Sequence, residues 1–245
     1  MGGSYLSEEG LRIARGLVPG TYPKVLFGLN TAIGVGWETI HTASNLYTWP
    51  TSPGIISITT TNAQNTPLGT GAGYANIDGL DVNYNQIEEV VELDGLNTVT
   101  TTNEYFRVNR VCLDCVIGDA KLIGSVTATL NGQPVFDISD AYDNTALRGM
   151  YTVPAGYDAF LMETLFTQGK ENQSGYVGLF VRPFGRSFRM FSAFETFQGM
   201  VINPSYFIPI KVTQKSDIEF RMRALAGSVS GSIRVSFIIV KNSTY

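Results

Sequence analysis

An all-β fold is what this sequence predicts, and three observations lead there. Apolar residues come in short runs rich in β-branched and aromatic side chains. Gly, Pro, Asn and Asp interrupt those runs every few residues, where chains turn. Beyond about residue 23 no stretch keeps the 3.6-residue apolar period of an amphipathic helix. A chain of 245 residues has room for two small β domains. The expected fold class is therefore all-β, with two β-sandwich or jelly-roll-like domains preceded by a short N-terminal arm. The expected bounds are 1–23 for the arm, 24–120 for the first β domain and 121–245 for the second, jelly-roll-like one.

The arm differs from everything after it. Ser7 to Arg15 can form one or two helical turns, with Ser7 as cap, Glu8 and Glu9 early, and Arg12 and Arg15 late, as the helix dipole prefers. Gly16, Pro19, Gly20 and Pro23 then break the helix. Its apolar residues, Tyr5, Leu6, Leu11, Ile13, Leu17 and Val18, are the candidate interaction residues. A segment this short cannot bury them by itself, and disordered tags are poor in such residues.

Strands follow. Ile55–Thr61 is β-branched. Tyr74–Leu80 and Ile87–Leu93 read as a hairpin turning near Asn83-Tyr84-Asn85, with Ile87, Glu89, Val91 and Leu93 on one side. Two more strands lie over Thr98–Thr102 and Tyr105–Val116. The second half adds Val126–Leu130, Met150–Val153, Ala159–Thr167, Val177–Arg182, Ser187–Ser192, Phe207–Val212, Ile218–Ala224 and Ile233–Val240. Residues Ser139 to Leu147 have room for a short helix.

Composition narrows the function. Charged residues make up 16% of the chain and hydrophobic ones 44%, against about 25% charged in ordinary globular chains. Surface so poor in charge is suited to being covered. The net charge of −4 and a pI near 5.1 argue against nucleic-acid binding, and Arg182, Arg186 and Arg189 read as a solvated strand face. The start lacks the basic and apolar regions of a signal peptide. No run approaches the roughly 18 apolar residues of a membrane span, and Leu6 stands where a myristoylation signal needs Ser or Thr.

Catalytic and metal chemistry find little support. His41 is the sole histidine, so a Ser-His-Asp triad would need it; its place beside Ile40 suggests an exposed or hydrogen-bonded strand residue. Gly69 to Gly73 has a loop before it and a strand after it, so it is a turn rather than a phosphate cradle. Asp78 to Asn85 is oxygen-rich, but hairpin-turn chemistry accounts for it better than calcium. Glu88, Glu89 and Glu92 could in principle cleave glycans, yet a solvated strand face explains them more simply. Cys112 and Cys115 are too few for a zinc site; the expectation is that at least one is buried and that they are not disulfide-bonded. No cofactor and no metal is expected.

The order of several segments resembles virion structural proteins of tailed bacteriophages, particularly those of marine and cyanobacterial hosts. These segments are Lys24–Asn30, Gly34–Ile40, Leu46–Pro50, Gly79–Asp81, Leu93–Gly95, Phe106–Arg110, Met150–Tyr157, Gly169-Lys170, Arg182–Gly185 and Gln214–Glu219. Asn30-Thr31-Ala32-Ile33-Gly34 departs from the family's Asn-Pro-x-Val-Gly, and His41 replaces its Trp. The resemblance implies a non-enzymatic protein of the virion, made in the host cytoplasm. Its implied partners are copies of itself and other virion proteins such as the major capsid protein, with no membrane and no specific nucleic acid. A decorating or vertex position on the capsid is the leading expectation; a neck or tail position, possibly host-binding, is the alternative, and a glycan-cleaving tail enzyme a remote third.

Overall fold

The computed structural model describes residues 8–43, 45–142, 144–169, 173–203 and 205–242. It is all-β, built from four antiparallel sheets. The first contains β1 (Thr21–Ile33), β17 (Val229–Lys241), β11 (Tyr157–Gly169), β14 (Val201–Ile202) and β15 (Ser205–Val212). The second contains β10 (Met150–Thr152), β16 (Asp217–Ala224), β12 (Ser174–Arg182), β13 (Arg189–Phe197) and β2 (Glu38–Thr39). The third runs β6 (Val99–Thr100), β3 (Ile56–Thr60), β8 (Ser125–Leu130), β9 (Gln133–Ser139). The fourth runs β5 (Gln86–Glu92), β4 (Tyr74–Leu80), β7 (Arg107–Leu113). Helix among the described residues is confined to α1 (Glu8–Ala14) and a 3-10 turn at Asp140–Tyr142, inside the two stretches the sequence allowed.

Two apolar cores form. One is filled from the first and second sheets, by residues such as Leu26, Phe166, Leu179, Phe220, Val235 and Phe237. The other is filled from the third and fourth, by Ile56, Ile77, Tyr105, Val111, Val126 and Ile138. Alternation does the sorting: in β17 every second residue is buried from Val229 to Ile239, because successive side chains leave a strand on opposite faces.

Pairing and packing cross the boundary expected near residue 120. β8 pairs with β3 over Ile56↔Leu130 to Thr60↔Val126, and β1 pairs with β17 from Thr21↔Val240 onward. Chain distant in sequence thus meets in one sheet, and the second core is filled within a stretch lying between two parts of the first. Where that stretch starts and ends, the chain is clasped. His41 bridges to Arg148, the Gly149 amide donates to the Ile40 carbonyl at 2.8 Å, and the Phe220 amide donates to the Gly149 carbonyl at 2.8 Å. Gly28 makes this approach possible. A Cβ there would lie 2.5 Å from the Ile40 carbonyl oxygen and 2.6 Å from the Gly149 nitrogen.

The cores are tied by polar contacts. Arg107 of β7 donates through Nε to Asp217 of β16 at 2.9 Å, and through Nη1 to the Pro50 carbonyl. Asp217 also accepts from Thr152 at 2.6 Å and from Arg182 at 2.7 Å. Arg182 is therefore not on a solvated face as the sequence suggested; it is half-buried on a carboxylate, over the rings of Trp49 and Phe188. Asn109 and Thr152 exchange two further bonds across the joint.

Cys112 and Cys115 form a disulfide, contrary to expectation, while Cys112 is buried as expected. In a straight strand, residues three apart stand roughly 10 Å apart on opposite faces. Here β7 ends at Leu113, and Asp114 takes a left-handed conformation (φ 49°) that folds Cys115 back, leaving the Cα atoms 6.0 Å apart. The Asp114 carboxylate holds that bend by accepting from the Gly73 and Tyr74 amides.

Candidate assembly surfaces

The arm is locally organised. Glu9 and Arg12 pair at 2.9 Å on α1. The helix ends in a double cap: Gly16 (φ 69°) donates to the Ile13 carbonyl and Leu17 to the Arg12 carbonyl, the pattern that satisfies orphan carbonyls at a helix C-terminus. Thr21 then bonds the Val18 carbonyl and starts β1. No residue of α1 is buried. Of the candidate interaction residues, Leu11 and Leu17 are about half exposed, at 49% and 50%, and Ile13 and Val18 are partly covered. Tyr5 and Leu6, together with the cap residue Ser7, lie outside the described residues.

A second apolar surface was not foreseen. β13 is the outer strand of its sheet, and Met190, Phe191, Phe194 and Phe197 along it are exposed. Val201 and Ile208 of β14 and β15 are exposed as well. Scattered exposed apolar residues are ordinary, but aromatic residues bunched along one outer strand mark interaction surfaces. The sequence carried a signal for this: apolar residues at 190, 191, 194 and 197 fall on both faces of a strand and leave neither of them polar. The register slips by one residue beside Phe191, where Leu179↔Ser192 is followed by Phe180↔Met190. Such a bulge hinders addition of another strand, so this edge offers apolar side chains rather than a free backbone ladder.

His41, Glu88 and Glu89, weighed for catalysis, are engaged in hydrogen bonds, and Glu92 is exposed. His41 is buried and bonds the Asn45 carbonyl at 3.0 Å, so that Nε2 donates. Burial, then the nearby Arg148 charge, holds its pKa below the usual histidine value. Glu89 accepts from the Thr102 and Asn103 amides, and Glu88 accepts from Asn76. Asp81 accepts from the Asn83 and Asn85 amides and the Asn85 side chain, which is hairpin-turn chemistry. β4 rather than a helix follows Gly69 to Gly73. Among the described residues no helix is long and apolar enough to cross a membrane.

No family model matches the chain, and no curated protein matches it. Among solved structures, one of infectious bursal disease virus, Gt strain, is similar at 11% identity over 93% of this chain and 75% of that one, with a TM-score of 0.26. A second, of the T13 particle of the same virus, is similar at 12% identity over 91% and 68%, also with a TM-score of 0.26. TM-scores this low carry no argument for fold or function.

Proposed function

We propose that the chain is a non-enzymatic structural protein of a virus particle, of the capsid-decorating or vertex type, working through contacts with copies of itself and with other virion proteins. The observation that carries this reading is the pair of uncovered apolar surfaces, the arm and β13, on a chain with little charge to keep neighbours apart. Its segment order, which resembles that of tailed-phage virion proteins, supports it. Each contact can be weak, because repetition over a symmetric particle multiplies it. We read the chain as an outer β-sandwich unit, residues 21–41 and 148–241, carrying an inserted unit, residues 42–147, that has its own core.

The test is to find the chain in purified particles and to compare full-length protein with a truncation of residues 1–20. Cutting further, to residue 22, would remove the ladder positions Thr21↔Val240 and Tyr22↔Ile239 and confuse folding with association. The expected result is a folded truncation with lower oligomer mass and weaker incorporation. Absence of the chain from purified particles would overturn the virion reading. Unchanged mass together with unchanged incorporation would remove the arm from it.

A further inference from the structure

Three turns from both cores meet at one cavity, of about 510 Å³. They are the β4–β5 turn with Asn83 and Tyr84, the β12–β13 turn with Phe184 and Arg186, and the β15–β16 turn with Lys215. The volume falls within the roughly 300–1,000 Å³ of small-ligand sites.

Its charge is the reverse of the chain's. Arg107, Arg182, Arg186 and Lys215 line it against a single carboxylate, Asp217, in a chain of net charge −4. Asp217 is shared by Arg107 and Arg182, so the floor keeps surplus positive charge, and the rim adds Arg186 and Lys215, the latter facing the Asp81 carboxylate just outside the cavity. Buried cation without full compensation is costly, and an anion would supply the balance. The walls are aromatic. Tyr84 meets Phe106 and Phe184 edge to face at 5.5 and 5.6 Å, and Phe184 is 60% exposed at the mouth. Lys215 Nζ lies 5.3 Å from the Phe184 ring centre.

Backbone conformation adds an independent sign. Among the described residues five that are not glycine have positive φ: Tyr84, Asp114, Asn131, Asn144 and Lys215. Asn and Asp tolerate that region. Tyr84 and Lys215 adopt it less readily, and both line this cavity. Residues held in costly conformations gather at functional sites.

We infer that this cavity binds an anionic sugar residue, its carboxylate or sulfate meeting Lys215 and Arg186 and its ring lying against Phe184 and Tyr84. Guanidinium and ammonium groups recognise such anions by charge-assisted bonds, and the exposed ring offers the apolar surface that a simple anion would not need. The inference stands apart from the virion reading, since it concerns the purified protein.

The experiment is titration calorimetry with four probes: a galacturonate hexamer, its full methyl ester, a sulfated galactan hexamer and sodium phosphate. Both anionic oligomers are expected to bind, with the ester at least about tenfold weaker, as loss of a charge-assisted bond implies. Lys215→Asn with Arg186→Gln should weaken anionic binding by at least about tenfold. The melting temperature should hold or rise, because Asn accepts the backbone conformation of position 215. Phe184→Ala should weaken both anionic oligomers. Failure of both to bind, variants that bind like wild type, or phosphate binding as tightly as the oligomers would overturn the inference.

Discussion

Asp217→Ala tests the polar tie between the two cores. Asp217 is buried, and it is the carboxylate that faces Arg107, whose side chain is only 5% exposed. Removing it leaves a buried guanidinium without its counter-charge, a change that costs about 3–5 kcal/mol. Arg182, at 26% side-chain exposure, recovers solvent and adds little. For a chain of this size each kcal/mol moves the melting temperature by about 2–4 °C, so a fall of roughly 6–20 °C is expected. The assay is thermal unfolding by circular dichroism at pH 7, with urea unfolding alongside. A double variant, Arg107→Met with Asp217→Leu, should regain most of the loss, because replacing a buried ion pair by apolar groups is often neutral. A single-variant loss below about 1 kcal/mol would refute the reasoning, since a buried charge stripped of its partner costs more than that.

Gly28→Ala drives a Cβ into the Ile40 and Gly149 backbone, where neither can yield alone; a loss of about 3 kcal/mol in urea unfolding is expected. Reducing the Cys112–Cys115 bond should lower stability by no more than about 2 kcal/mol, because so short a loop restrains the unfolded chain little; thiol titration of unfolded protein with and without reductant checks the bond itself. His41 is neutral in the fold, with its pKa held below 6.5 by burial. The unfolded chain therefore binds a proton first as pH falls, so this contribution is complete above pH 6.5 and is lost as pH drops through the folded value. His41→Gln should flatten the pH dependence of stability over that range relative to wild type.

Much of the strand pattern was legible because alternation is local. Ile55–Thr61 became Ile56–Thr60, and Ile218–Ala224 became Asp217–Ala224. The Tyr74–Leu80 hairpin paired with Gln86–Glu92 as read. The two-residue strands β2 and β14 were missed because they are too short to alternate, and two longer strands were missed for one shared reason. β1 was not read as a strand, its first three residues being taken as arm, and Gln133–Ser139 was not read at all; Pro23 and Pro134 look like breaks. Both lie on outer strands of their sheets, where a missing N–H can face away from the ladder. Partner choice was not legible, since nothing local in Ile56–Thr60 says that it pairs with a strand some 70 residues on. The arm's apolar residues could be named from sequence; for β13 the pattern of apolar residues on both faces was there to read, but their exposure was not, because it depends on β13 being outermost.

The clasp between His41 and Arg148 also sets an order in time. The second core is complete once residue 146 has been made, whereas the long ladder of β1 waits for β17, the last strand described. At roughly 5–20 residues per second of synthesis, the intervening stretch takes on the order of 5–20 seconds. During that interval the inner unit stands with its core filled beside an outer sheet whose first strand is alone, with Leu26 and Ile33, buried in the finished fold, still uncovered. Released chains ending at residue 150 should therefore resist protease between 55 and 145 and be cut near residue 30.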